Sequence, residues 1–235
     1  HEIALKPKRE KHSAFLIHST FWCRLTILCL FVLLDRTVCH LTILDQMSLP
    51  KRLLVLSLGN PPAYDGTRHS VGHLMLKLVC TRLGAQPNRT GSFNTHETEI
   101  DDTRVTFYRV PGYMNESGKS LNPFYKIWKS RTKKEIEDTV IILHDELDVD
   151  VGKIKVRSPG RSHRGHNGLR SIQASSPIGK DYVSFQIGIG RNYSGDRQTP
   201  GVVANYVLSK FTPKERLTIE SETLDKVVDA IKTYV

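Results

Sequence analysis

The chain has 235 residues, 39% of them hydrophobic, and a formal net charge of +10 at pH 7. A chain of this length and composition buries one good core, which argues against a division into two small domains. The excess of lysine and arginine predicts a partner rich in negative charge, most simply a nucleic acid with its backbone phosphates.

The first 46 residues differ from the rest of the chain. The first methionine is Met47, and the apolar run at 25–34 is shorter than the roughly 20 residues that a membrane-spanning helix needs. A basic stretch precedes this run, as in a targeting signal. We therefore expect 1–46 to be an atypical leader outside the fold, either untranslated upstream sequence, which we favour, or a targeting segment. The folded domain is expected at 47–235.

Cysteine usage bears on the compartment. Three of the four cysteines lie in the leader, and 47–235 contains only Cys80. A single cysteine forms no internal disulfide, which is typical of a reducing compartment. We expect a cytoplasmic protein, with the mitochondrion as the alternative, and no stable membrane association of the folded domain.

Apolar runs along the chain predict strands and helices in alternation. Strands are predicted at 53–58, 103–110, 138–144, 153–157 and 183–189. Helical patterns lie between several of these strands and from Pro213 to Tyr234. Pro123 interrupts the helix expected after Asn115, so that helix is expected to begin late or to bend. The interleaving predicts an α/β fold, with a sheet flanked by helices.

His69 lies where the first predicted strand has ended and the first helix begins. It follows the turn Gly59-Asn60-Pro61-Pro62 and precedes a helical pattern with apolar residues on one face. Ligands of α/β proteins bind at the carboxyl ends of the strands, and histidine moves protons near neutral pH. We therefore interpret His69 as a general base, with a helix cap as the alternative.

Four further polar residues follow strands or precede helices in the same way. They are Asn60, Asn115, Asp145 and Asn167. Each of these asparagines, taken singly, is typical of a turn or a helix cap. Three carboxamides, a carboxylate and His69 at one edge of a sheet together predict a site that binds carbonyl and amide groups while a base acts between them.

Two other chemistries leave only incomplete motifs. His69 and His73 are four apart on a predicted helix, the spacing of two zinc ligands, but Ser70 stands where the zinc-protease motif has its glutamate. Gly118-Lys119-Ser120 is the tail of a phosphate-binding loop, but Tyr113 stands where that motif has its first glycine. Both gaps argue against these alternatives.

Several motifs in a fixed order carry a resemblance to a known family. They are Gly59-Asn60-Pro61, Thr67-Arg68-His69-Ser70-Val71-Gly72, Met114-Asn115-Glu116-Ser117-Gly118, His144-Asp145-Glu146-Leu147-Asp148, Gly165-His166-Asn167-Gly168, Ile187-Gly188-Ile189-Gly190 and Val207-Leu208-Ser209-Lys210-Phe211. From Leu53 to around Val228 the chain resembles the bacterial-type peptidyl-tRNA hydrolases, the animal branch in particular. The resemblance implies a monomeric single domain of three layers, α/β/α, around a twisted mixed sheet. It also implies an enzyme that hydrolyses the ester between tRNA and a peptide, or an N-blocked aminoacyl group, without metal or cofactor.

The resemblance also implies roles for individual residues. His69 would activate water and Asp145 would orient the imidazole, because a carboxylate that accepts the ring N–H fixes the tautomer. Asn60 and Asn115 would contact the peptide and the reacting end, with Asn115 as the oxyanion or water partner. Asn167 would bind the peptide backbone or the tRNA end.

Recognition of the tRNA itself is less well defined. Tyr64 matches a family position near the tRNA end, with a packed turn tyrosine as the alternative. Gln186 stands where an arginine of the family's phosphate clamp is common, which puts that contact in doubt. Four basic residues are candidates for replacement phosphate contacts: Lys155, Arg157, Arg161 and Arg164. The alternative function is a catalytically silent RNA-binding module of the same fold, although such a module needs neither His69 nor Asp145.

Overall fold

The structure is a computed structural model that describes residues 51–131, 136–193 and 201–235. The expected leader at 1–46 lies outside these residues. Within them, the strands are β1 (Lys51–Ser57), β2 (Gln86–Thr90), β3 (Phe93–Ile100), β4 (Thr103–Arg109), β5 (Glu137–Glu146), β6 (Ile154–Arg157) and β7 (Val183–Gly188). They form one sheet in the order β2-β3-β4-β1-β5-β7-β6.

The helices of the described ranges are α1 (Val71–Arg82), α2 (Ser117–Ser130), α3 (Asn167–Ser175), α4 (Val202–Leu208), α5 (Pro213–Thr218) and α6 (Leu224–Lys232). A π-helical turn, Ile219–Thr223, joins α5 to α6. Short 3-10 turns lie at Pro62–Tyr64, Arg68–Ser70 and Met114–Glu116. None of these helices is long and apolar enough to cross a membrane.

The centre of the sheet is parallel and its edges are antiparallel. Strands β4, β1, β5 and β7 run in the same direction, whereas β2, β3 and β6 run against their neighbours. The run Leu53 to Leu56 of β1 is fully buried, as expected of a central parallel strand that is covered on both faces. The carboxyl ends of the four parallel strands therefore meet at one edge of the sheet.

Helices cover both faces of this sheet. Val55 belongs to a buried cluster that includes residues of α1 and α6, and its neighbour Leu56 belongs to a second cluster that includes residues of α2 and α3. Successive residues of a strand face opposite sides, so the two clusters are two separate helix–sheet layers. The three-layer α/β/α fold with a mixed sheet is confirmed.

The predicted elements and the observed ones differ at three places. Strands β2 and β3 were not expected, because their residues are mostly polar and exposed and show no apolar run. Helix α2 runs through Pro123 and begins at Ser117, so a start after the proline is wrong. The long C-terminal helix expected from Pro213 consists of α5, the π-helical turn and α6.

Gly72 allows α1 to lie directly against the ends of β1 and β5. A Cβ atom at this position would lie 2.5 Å from the carbonyl oxygens of Leu58 and Leu143, closer than packed atoms come. Only glycine therefore fits here. The close approach brings the turn before α1, which contains His69, next to the end of β5, which contains Asp145.

Candidate active site

A cavity of about 520 Å³ opens at the carboxyl edge of the sheet. The segments after β1, β4 and β5, the entry of α3 and one face of α4 contribute to its lining. Six residues singled out from the sequence line this cavity together: Asn60, His69, Asn115, Asp145, Arg164 and Asn167.

His69 and Asp145 form a hydrogen-bonded pair inside the cavity. The Nδ1 of His69 lies 2.9 and 3.0 Å from the two carboxylate oxygens of Asp145. Because a carboxylate only accepts hydrogen bonds, Nδ1 carries the proton and donates it. The lone pair of the neutral ring is therefore on Nε2, at the opposite corner of an imidazole that lines the cavity.

The pair has shifted pKa values. Burial lowers the pKa of His69, but the charge of Asp145 and the hydrogen bond to it outweigh burial, so the pKa lies above its ordinary 6.5. Burial raises the pKa of Asp145, and the two facing histidines, His69 and His166, hold it well below its usual range. Asp145 is 4% exposed and stays ionised at neutral pH, so His69 is a stronger base than a free imidazole.

His166 is a candidate site residue that the sequence reasoning did not single out. It is the N-cap of α3, and its Nδ1 accepts the backbone N–H of Leu169 at 3.2 Å. Its Nε2 therefore carries the proton and donates to Oδ1 of Asp145 at 2.9 Å. The signal was the position next to Asn167 in a motif in which only the asparagine received a role.

His144 holds the backbone of Asp145 in place. It is buried, its Nδ1 donates to the backbone carbonyl of Asp145 at 2.8 Å, and its Nε2 accepts from the Ser184 hydroxyl at 2.7 Å. Burial lowers the pKa of His144 to about 3, with the neighbouring His166 adding to the effect. His144 is therefore a neutral ring that fixes the end of β5.

The three asparagines differ in how firmly they are held. Asn60 is buried, and its Oδ1 accepts the backbone N–H of Met114 at 3.0 Å, which leaves its amide N–H groups as donors. Its own backbone N–H donates to the Ser70 hydroxyl at 3.2 Å. Asn115 and Asn167 are exposed, the first in a 3-10 turn and the second as the first residue of α3.

Tyr64 does not line this cavity. Its ring lies edge to face with the ring of Tyr113, with 6.4 Å between the centroids, and Tyr113 is 53% exposed. Tyr113 immediately precedes Met114 and Asn115, which do line the cavity. Tyr64 thus lies one aromatic ring away from the site, and its contact with the tRNA end stays a prediction.

The four basic candidates lie in two segments, and only Arg164 reaches the cavity. Lys155 and Arg161 are exposed. The Nε of Arg157 donates to Oε1 of Gln186 at 3.0 Å, and Nε2 of Gln186 donates to Oε2 of Glu146 at 3.0 Å. Gln186 is thus buried in an internal network, in which it orients Arg157.

The pair of histidines with zinc-ligand spacing does not converge. His73 is buried, its Nδ1 lies 2.8 Å from the Ser57 hydroxyl, and its ring packs against Gly59, where a Cβ would come within 2.3 Å. Its partners lie under the turn after β1, whereas His69 faces Asp145. The arrangement offers no shared position for a metal ion.

A second group of side chains consists of residue types that can bind a metal ion. The ligand atoms of His69, Asp145 and His166 lie within 4.8 Å of one another. Both imidazoles donate N–H groups to the carboxylate, and a metal ion would need those same nitrogens without their protons. The hydrogen-bonded network therefore accounts for the grouping.

Comparisons with known proteins agree on one family. The family model described as peptidyl-tRNA hydrolase matches residues 54–235. The peptidyl-tRNA hydrolase of Saccharomyces cerevisiae is 37% identical over 193 residues, which cover 78% of this chain and 97% of the yeast protein. The peptidyl-tRNA hydrolase of Halalkalibacterium halodurans is 34% identical over 184 residues, covering 77% and 92%. The crystal structure of peptidyl-tRNA hydrolase from Acinetobacter baumannii superposes with a TM-score of 0.63 at 28% identity, covering 81% of this chain and 90% of that one.

Proposed function

This chain belongs to the peptidyl-tRNA hydrolase family, and we propose that it hydrolyses the ester between the terminal ribose of tRNA and a peptide or N-blocked aminoacyl group. Its relatives are hydrolases by name. The observation that carries the proposal is the His69–Asp145 pair, held in one cavity with three asparagines. Membership of the animal branch, a monomeric state and residence in the cytoplasm stay predictions.

His69 is the general base of the proposed reaction. Its Nε2 takes a proton from a water molecule as the water oxygen attacks the ester carbonyl carbon. The ester C–O bond then breaks, and the imidazolium returns the proton to the ribose oxygen, so that a carboxylic acid and free tRNA leave. Asp145 is not protonated in this cycle, and it stabilises the imidazolium through the Nδ1 hydrogen bond.

His166 is a positioning residue in this scheme. Its Nε2–H holds Oδ1 of Asp145, so the carboxylate cannot rotate away from His69. The same hydrogen bond stabilises the ionised carboxylate and moderates its pull on the proton of His69. His166 thereby sets both the direction and the basicity of the imidazole.

The asparagines supply neutral donors and acceptors around the reacting carbonyl. We assign the developing oxyanion or the attacking water to Asn115, the peptide to Asn60, and the peptide backbone or tRNA end to Asn167. An amide does this without a charge that would compete with His69 for protons. The N-cap and the first residue of α3 also line the cavity, so the positive end of the helix dipole lies beside it and favours an oxyanion there.

Four basic residues, of which Arg164 lines the cavity, would contact the tRNA backbone. Lys155, Arg157, Arg161 and Arg164 are assigned to phosphates, and Tyr64 to the tRNA end. Arg157 is held by Gln186, so its guanidinium is fixed in direction although the arginine common in the family at 186 is missing.

Release of the acyl group from an N-acetylated aminoacyl-tRNA, measured with the whole chain, tests the proposal. His69→Ala should abolish release and largely keep the affinity for deacylated tRNA, because the base takes no part in holding phosphates. His96→Ala is the matched control, since His96 is exposed on β3. Equal loss of release and of tRNA affinity in His69→Ala would favour the silent RNA-binding module instead.

A further inference from the structure

Asp148 joins two arginines that come from separate segments of the chain. Its Oδ2 accepts from Nη2 of Arg164 at 3.0 Å, and its Oδ1 accepts from Nη2 of Arg191. Arg164 lies in the segment between β6 and α3 and lines the cavity, whereas Arg191 follows β7. The carboxylate therefore brings the guanidinium of Arg191 next to that of Arg164, which lines the same cavity as His69.

The cluster keeps one uncompensated positive charge. Arg164 is 43% exposed and Arg191 is 39% exposed, and Asp148 is 31% exposed between them. A guanidinium carries five N–H groups in a planar fork that suits phosphate oxygens. In the described ranges, each of the two arginines uses one nitrogen on Asp148, so both have donors available to an anion from solvent.

The position of the cluster indicates which anion it fits. The ester in the proposed reaction lies on the terminal ribose of tRNA, so the phosphates of the tRNA end are the substrate's closest anions to the cavity. Each oxygen of the Asp148 carboxylate binds one guanidinium group. The two free oxygens of a phosphodiester would bridge the two arginines in the same way. The net charge of +10 favours such a polyanion over an isolated carboxylate.

We propose that Arg164 and Arg191 form a phosphate site for the acceptor end of tRNA, and that Asp148 is an internal counter-ion that occupies both arginines until a phosphate of the tRNA takes its place. This inference rests on the proposed function. It adds Arg191 to the binding surface, and it makes Asp148 a competitor of the phosphate for the two guanidinium groups, whose positive charge it partly neutralises before tRNA binds.

Affinity for deacylated tRNA, measured by fluorescence anisotropy with the whole chain over a series of salt concentrations, tests the site. Arg191→Gln and Arg164→Gln should each lower the slope of log Kd against log salt by about 1, and weaken binding roughly threefold to tenfold at moderate salt. Arg82→Gln is the matched control. Arg82 is 48% exposed and pairs with Asp225, but it lies at the far end of α1.

Two further variants separate a phosphate site from a structural clamp. Asp148→Asn removes the counter-charge, so binding at low salt should tighten, and Arg191→Lys keeps the charge, so the salt slope should stay that of the parent chain. A clamp predicts the reverse, with both variants weakened like Arg191→Gln. Parent-like slopes in Arg164→Gln and Arg191→Gln, or weaker binding of Asp148→Asn at every salt concentration, would overturn the proposal. Failure of the proposed function is a different result, because the parent chain would then bind tRNA and release no acyl group.

Discussion

Two histidines four residues apart, at the start of α1, have opposite surroundings. His69 donates to the buried carboxylate of Asp145 and has a raised pKa, whereas Nδ1 of His73 meets the Ser57 hydroxyl and burial lowers its pKa to about 3. One ring lines the cavity and the other packs under Gly59. The hydrogen-bond partner, and not burial alone, therefore decides whether an enclosed imidazole becomes a base or part of the core.

Neutralising Asp145, the hydrogen-bond partner of His69, should remove most of the activity in acyl release. Asp145→Asn is expected to lower kcat/KM for acyl release by about 10³ to 10⁴, because an amide no longer favours the Nδ1–H tautomer or the imidazolium. Asp150→Asn is the control, since Asp150 is an exposed carboxylate that pairs with Lys153. A loss of less than about tenfold in Asp145→Asn would remove the carboxylate from the mechanism.

The two buried, neutral histidines, His73 and His144, should make the stability of the fold depend on pH. His73 and His144 have pKa values of about 3 in the fold, whereas an unfolded chain takes up protons near 6.5. Their contribution is thus complete above the unfolded value and is lost as the pH falls through the window between the two values. The free energy of unfolding should fall by about 1.4 kcal/mol per pH unit for each histidine. Urea denaturation between about pH 6 and pH 5 measures this slope, and His73→Gln should reduce it by about half. An unchanged slope in that variant would mean that His73 is protonated in the folded chain.

The His73 ring packs so closely against Gly59 that a larger residue at position 59 should destabilise the fold. Gly59→Ala places a Cβ 2.3 Å from the His73 ring, so it should lower the free energy of unfolding by about 1 to 3 kcal/mol. A double variant with His73→Ala should recover part of that loss, because the two groups compete for one space. Strictly additive losses in chemical denaturation would show that the ring is not the obstacle.

The smallest expected effect is a change in the basicity of His69. His166→Phe removes the donor to Asp145, so the carboxylate attracts the His69 proton more strongly and the acid limb of the pH–rate profile should move upward by roughly one unit or less. His166→Asn keeps the N-cap of α3 but is too short to replace Nε2. The same upward shift in both variants assigns the effect to the lost donor, whereas a change in the Phe variant alone assigns it to the cap.

The sequence predicts which residues meet at the carboxyl edge of the sheet because its signals there are local. An apolar run such as Leu53 to Leu58, followed by a turn, indicates where a strand ends, and parallel strands collect such ends at one edge. His69, Asp145 and the three asparagines could therefore be placed together before any coordinates. The polar edge strands β2 and β3 lack this signal and were missed.

The remaining contacts depend on strand register and on loops. Gln186 faces His144 on one side and Lys155 on the other only because β5, β7 and β6 pair in one particular register. The Asp148–Arg191 contact joins residues 43 apart in the chain. The hydrogen bond of His166 depends on the entry angle of α3, which no local pattern specifies.

The most direct test of the His69 base is the pH dependence of kcat/KM for acyl release by the whole chain, compared with the NMR titration of the His69 ring. We predict a single acid limb, along which the rate rises with pH through a pKa above 6.5, at the value at which the ring titrates. A rate that stays constant while His69 gains or loses its proton would contradict the account.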